Sequence, residues 1–167
     1  MKRQGPSAEF GADILATLPA LRGFARALTG NAAAADDLVQ DTVVNALANA
    51  EKFDPNTTIR PWLFTILRNR FYSDMRRKKT AAAVVQSGDE LPDLAVAPAQ
   101  ESGLMFGDFR RMFLALPVEQ REALTLVGAA ELSYEQAARI CSCAVGTMKS
   151  RVSRARAELR RSLSADD

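Results

Sequence analysis

The chain has 167 residues and a net charge of only +2, with 22 Lys and Arg against 20 Asp and Glu, which suits one medium domain or two small ones. At 47% hydrophobic and 25% charged residues it is too apolar for disorder throughout, yet no apolar run reaches the roughly 18 residues of a membrane span and no signal segment follows Met1–Pro6, so a cytoplasmic protein without a membrane partner is expected. Two cysteines exclude a disulfide scaffold, and the lack of histidine removes Ser–His and Cys–His nucleophile pairs and His-ligated zinc, so neither an enzyme nor a cofactor or metal site is expected.

Helical periodicity dominates the chain, and no segment alternates with a period of two. Phe10, Ile14, Leu18, Leu21, Ala25 and Leu28 form one apolar stripe over residues 8–29. Pro19 is expected to kink or restart that helix, and Gly30-Asn31 to stop it. A second helix is predicted over 33–51, with Val39, Val43, Leu47 and Ala50 inward and Asp36 and Asp37 in its dipole-favoured first half. Phe53-Asp54-Pro55-Asn56 is a turn, and Thr58 is positioned to cap a third helix that tolerates Pro61 in its first turn. Leu63, Leu67, Phe71 and Met75 give that helix its stripe, Trp62 is assigned to the core, and Arg76-Arg77-Lys78-Lys79 end it.

Residues 80–103 lose the periodicity and are expected to be a flexible acidic linker, with a short helix allowed by Ala81-Ala82-Ala83-Val84-Val85. A second module then opens with Phe106, Phe109, Phe113 and Leu116 on one face. Pro117 starts the next helix, with Ala123, Leu124 and Val127 inward. Ser133-Tyr134-Glu135-Gln136 fits a capping box, and Val145, Met148, Val152, Ala155, Leu159 and Leu163 line a last helix. The fold expected is all-α: two small helical modules at 8–79 and 104–163 joined by the linker at 80–103.

The near-neutral total hides segregated charge. Residues 31–58 sum to −4 and 59–79 to +6; residues 80–108 hold five acids and no Lys or Arg, and 144–163 sum to +5. Two basic stretches flanking an acidic tract point to two sites for one polyanion. The helices at 133–141 and 145–163, joined by a three-residue turn, have helix-turn-helix spacing, in which the second helix enters the major groove. The face of the last helix opposite its apolar line holds Gly146, Thr147, Ser150, Ser153, Arg154 and Arg161, with Lys149 at its edge. Small and hydroxyl residues allow close approach to bases, while Lys and Arg contact phosphates or guanine. A helix merely closing a bundle would mix signs for i,i+4 pairing, yet Glu158 is the only acid there against six bases. Cys141 and Cys143 alone make no tetrahedral site and are assigned to packing and the turn.

Asp36-Asp37-Leu38-Val39-Gln40-Asp41-Thr42, Arg60-Pro61-Trp62-Leu63-Phe64-Thr65-Ile66, Leu116-Pro117, Ser133-Tyr134-Glu135-Gln136-Ala137-Ala138 and Val145-Gly146-Thr147-Met148-Lys149-Ser150-Arg151 together resemble an extracytoplasmic-function (ECF) sigma factor. Leu126-Val127-Gly128-Ala129 and Cys143-Ala144-Val145-Gly146-Thr147 are similar to the alphaproteobacterial general-stress-response subgroup. The resemblance implies promoter recognition and melting as a subunit of core RNA polymerase, with promoter DNA and an anti-sigma factor as further partners. It implies that Asp37, Leu38, Gln40, Asp41 and Val44 meet the clamp helices of the largest polymerase subunit. Arg68, Asn69, Arg70, Tyr72, Ser73, Asp74, Arg76 and Arg77 would then meet the melted downstream promoter element. Such a set suits single strands: Arg tracks the backbone, an aromatic ring stacks a base, and short polar groups meet exposed base edges. Thr147, Lys149, Ser150, Ser153 and Arg154 would face the upstream duplex element, with Arg151 and Arg156 nearer its phosphates. The alternative is a sigma-like decoy that sequesters an anti-sigma factor without binding DNA; the bases retained on the last helix argue against it.

Overall fold

The computed structural model describes residues 7–84 and 104–165. Helix α1 spans Ala8–Thr29; the Ser7 hydroxyl accepts the Phe10 amide at 3.2 Å to open it, and Gly30, at φ 67°, closes it in the left-handed conformation that a β-carbon disfavours. Pro19 does not restart the helix, which runs through it. The carbonyl that Pro19 leaves without a helical donor belongs to Leu15, which is exposed, so water can take that place. Asn31 caps α2 (Ala32–Ala48) by accepting the Ala34 amide at 3.0 Å, and a 3₁₀ turn over Ala50–Lys52 follows. The Asp54 carboxylate accepts the Asn56 amide at 2.9 Å in the connecting turn. Helix α3 then covers Ile59–Val84, about one turn beyond the predicted Lys79 end, because the alanine run continues it. Residues 85–103 of the expected linker lie outside the described residues.

The second module consists of α4 (Leu104–Ala115), α5 (Val118–Leu124), a π-helical segment over Thr125–Ala129, α6 (Tyr134–Ile140) and α7 (Val145–Ala165). The capping box of α6 forms as predicted: Ser133 Oγ accepts the Gln136 amide at 3.1 Å, while Gln136 Oε1 accepts the Ser133 amide at 3.0 Å. Leu126, on the wide π turn, is fully buried, and Leu124 and Val127, expected inward, pack partly buried against the same core. In α2 the buried face is Ala35, Leu38, Val39, Thr42 and Ala46; Val43 and Ala50 of the predicted stripe pack partly buried against the core, and Leu47 is exposed.

Leu21, Phe24, Leu63, Phe64 and Leu67 are wholly excluded from solvent where α1 and α3 cross, and the Phe24 and Phe64 rings meet edge-on at 5.2 Å. Each such side chain contributes about 1.5–3 kcal/mol of burial energy. Trp62 is half-buried, closing this core at one end against Phe10 and Phe53 at 6.0 and 5.3 Å. The core does not stop at the first module. Leu126, Leu132, Ala137, Ile140, Cys141, Met148 and Val152 belong to the same cluster of buried residues as Phe24 and Leu67. The described parts of the two modules therefore pack face to face, α1 on α5 and α3 on α6, around one shared interior.

Polar groups fasten that packing. Arg121 of α5 donates to the carbonyls of Ala27 (2.8 Å) and Leu28 (3.3 Å) at the end of α1, and to those of Leu114 (3.1 Å) and Leu116 (2.6 Å) in its own module. The last carbonyls of a helix lack intrahelical donors, and a guanidinium fork suits several at once. Arg110 of α4 donates to Gly30 O at 3.1 Å.

Candidate nucleic-acid and polymerase interface

Four of the five residues expected to meet polymerase stand on the exposed side of α2: Asp37, Gln40, Asp41 and Val44. Leu38 does not. It is buried in the α1–α2–α3 core, and its carbonyl accepts the Thr42 hydroxyl at 2.7 Å, so it supports the surface from beneath. Leu47, one turn beyond Val44, is exposed and joins it in an apolar strip beside the acids. The sequence placed Leu47 inside because the helix was phased on Val43 and Ala50 rather than on Leu38 and Thr42.

The eight α3 residues expected at the downstream element split into three groups. Arg70 bridges Asp41 of α2 at 3.1 Å and Asp74 at 3.2 Å, bringing one residue of the polymerase set together with two of the DNA set. Both pairs are well exposed, where such bridges contribute only about 0–1 kcal/mol. Asn69, Arg76 and Arg77 are exposed and Ser73 half-exposed. Ser73, Arg76 and Arg77 line an open groove with Thr80, Ala81 and Val84.

Arg68 and Tyr72 form the third group, and they point at the second module. The Arg68 guanidinium lies over the Tyr72 ring, 4.5 Å from its centroid. Arg68 Nε donates to Glu122 Oε1 of α5, and the Tyr72 hydroxyl donates to Glu122 Oε2 at 3.2 Å. Glu122 is fully buried, with both carboxylate oxygens engaged by α3. Burial pushes its carboxyl above the ordinary range, opposed by the Arg68 charge, by the hydrogen bonds from Arg68 and Tyr72, and by Arg151 of α7. Burial alone lowers Arg68, but the Glu122 charge and hydrogen bond outweigh it and the net shift is upward. The two directions agree once exposure is considered, since Arg68 lies at the rim and retains water while Glu122 has none. Burial, then the Glu122 charge, pushes the Tyr72 phenol up to about 12. Burial likewise pushes the neighbouring Cys141 thiol up to about 12, which keeps it protonated and inert.

On α7 the residues expected at the upstream element point outward. Thr147, Lys149, Ser153, Arg154 and Arg156 are exposed, and Ser150 and Arg151 half-exposed. Met148, Val152 and Ala155 are buried on the opposite side, so the outward face follows from the apolar line. Ser142, at φ 51°, makes the tight turn between α6 and α7, and Cys143 N–H closes it onto Ala138 O at 3.0 Å. The Lys149 ammonium rests 5.7 Å from the centre of the Tyr134 ring, a cation–π contact that holds it over the end of α6. Among the described residues no group of three or more His, Cys, Asp or Glu is placed to hold a metal ion, and no helix is long and apolar enough to cross a membrane.

Residues 14–81 match the model of Sigma-70 region 2, and residues 106–159 that of Sigma-70 region 4. The chain is 52% identical over 147 residues to the ECF RNA polymerase sigma factor EcfG of Rhodopseudomonas palustris, covering 88% of this chain and 81% of that protein. The chain belongs to the ECF sigma factor family. Its fold is similar to that of the sigma factor RpoE of Bartonella quintana, solved in complex with the anti-sigma factor NepR, with a TM-score of 0.83 and 44% identity over 96% of this chain and all of that one. It is also similar to CnrH, solved in complex with the cytosolic domain of CnrY, with a TM-score of 0.68 and 29% identity over 95% and 89% of the two chains. These matches favour a sigma factor over the sigma-like decoy.

Glu122 and Arg121 are the residues that sequence reading of this sigma factor missed. In Val118–Leu124 they sit among Glu, Gln and Arg at a spacing that suits a solvated helix face. Their partners in the first module lie 50 to 94 residues earlier in the chain, a pairing that no local pattern encodes.

Proposed function

We propose that this ECF sigma factor joins core RNA polymerase, recognises promoters of stress-response genes at two elements and helps melt the downstream one. It adds contacts rather than chemistry: the polymerase makes the RNA, and the sigma factor acts in the cytoplasm as a DNA-binding subunit. The observation that carries this reading is a 52% identity to an ECF sigma factor that runs across both modules. The stress assignment is supported by the similarity of 126–129 and 143–147 to the general-stress-response subgroup.

Asp37, Gln40, Asp41 and Val44, with Leu47 added, form the face offered to the polymerase clamp helices. Arg68, Asn69, Arg70, Tyr72, Ser73, Asp74, Arg76 and Arg77 form the single-strand surface. Thr147, Lys149, Ser150, Ser153 and Arg154 meet the duplex bases, and Arg151 and Arg156 the phosphates. An anti-sigma factor regulates the protein, a reading supported by the NepR complex of the Bartonella relative. Permanganate footprinting of the holoenzyme on promoter DNA tests the reading. Unpaired thymines near the start site are expected with wild type and not with an Arg76→Ala/Arg77→Ala variant. Equal reactivity for both would overturn the downstream assignment.

A further inference from the structure

Arg68 and Tyr72 make an anion-binding pair: one guanidinium and one hydroxyl directed at the two oxygens of a single acidic group. Of the α3 residues, these two are withdrawn from solvent into the module interface, while Asn69, Arg76 and Arg77 stay free to meet a ligand. The group they hold belongs to the chain itself. Glu122 of α5 is fully buried, so no water reaches its carboxylate. A buried carboxylate without partners is expensive, and among the described residues the compensation comes from the α3 pair and the charge of Arg151. A carboxylate and a phosphodiester present the same chemistry to an Arg–Tyr pair, two acceptor oxygens on one negative charge.

We infer that Glu122 is an internal stand-in for a promoter phosphodiester, and that the closed packing of the two modules and single-strand binding by Arg68 and Tyr72 exclude each other. The free sigma factor is thus self-occluded, and whatever separates α5 from α3 uncovers the site. Arg121 sits next to Glu122 and fastens the same interface onto α1 through main-chain carbonyls, without a hydrogen bond to Arg68 or Tyr72.

This inference rests on the reading that Arg68 and Tyr72 contact single-stranded promoter DNA, and the test separates the two. The full chain is prepared as wild type, Glu122→Gln, Arg121→Ala and Glu122→Gln/Arg68→Ala. The radius of gyration is measured by small-angle X-ray scattering, and binding of a fluorescein-labelled thymidine oligonucleotide by anisotropy. If closure masks the site, apparent affinity is reduced by the fraction of molecules that is open. Glu122→Gln and Arg121→Ala should both expand the protein and tighten oligonucleotide binding by about tenfold. Adding Arg68→Ala to Glu122→Gln should remove that gain while the expansion persists. Arg121→Ala keeps the test valid should Glu122→Gln fold poorly. Expansion in both openers without tighter binding would overturn the assignment of Arg68 and Tyr72 to DNA, and occlusion with it. Compact variants with wild-type affinity would overturn the clasp alone.

Discussion

Arg121→Ala should destabilise the protein more than any other single change at an exposed or half-buried position. The guanidinium is half-buried and donates to four main-chain carbonyls, two on α1, one at the end of α4 and one in the turn after it, at 2.6 to 3.3 Å. A hydrogen bond from a charged donor contributes about 1.5–3 kcal/mol net. The four share one charge, and truncation admits water to some of the acceptors, so the total falls well short of four separate bonds. A loss of about 2–4 kcal/mol is the expectation. For a chain of this size that lowers the melting temperature by about 4–16 °C. Arg121→Lys should recover less than half, because an ammonium on a flexible stem cannot span carbonyls on two modules. Urea titration followed by far-UV circular dichroism measures both variants. A loss below about 0.5 kcal/mol for Arg121→Ala, within the range of ordinary surface changes, would refute the view that this side chain fastens the modules.

On α7, Lys149→Ala or Arg154→Ala should weaken binding to an upstream-element duplex by about 1–3 kcal/mol where the contact is to a base, as measured by titration of labelled promoter DNA with holoenzyme. Asp41→Arg should abolish co-purification with core polymerase while melting temperature changes little, since its bridge to Arg70 is exposed. Alkaline pH should weaken the fold. Cys141 and Tyr72 keep their protons in the native protein up to about 12, against ordinary values of 9.0 and 10.0, so the unfolded chain releases them first. Their contribution is complete below the unfolded values and is lost as pH rises towards about 12. Urea midpoints across that window should fall with pH, and Cys141→Ala should flatten the decline.

Much of the fold was legible because α1, α3 and α7 carry apolar residues at strict helical spacing, because Gly30 stops α1, and because Ser133 and Gln136 form the capping box of α6. The outward reading face of α7 followed from the same phase. Errors arose where a helix offers two plausible apolar stripes. In α2, Leu38 and Thr42 face the core while Val44 and Leu47 face solvent, and alanines at 46, 48 and 50 leave the periodicity ambiguous. The π turn after Leu124 adds a residue to the turn, which brings Leu126 fully into the core alongside the predicted Ala123, Leu124 and Val127. The packing of one module on the other was not legible at all. It depends on a charged pair and a guanidinium fork whose members are far apart in sequence, and charged residues at helical spacing look the same whether they face water or a partner. The surface that contains Arg68 and Tyr72 was identified from charge and family likeness, but not the acid that covers it.

Run-off transcription with purified core polymerase on a panel of genomic promoters tests the central reading most directly. Core enzyme alone should yield no discrete products. Adding this protein should give transcripts from defined start sites, lost with Asp41→Arg and strongly reduced with Lys149→Ala/Arg154→Ala. Absence of promoter-directed RNA with the wild-type protein, although it binds an anti-sigma factor tightly, would contradict the account.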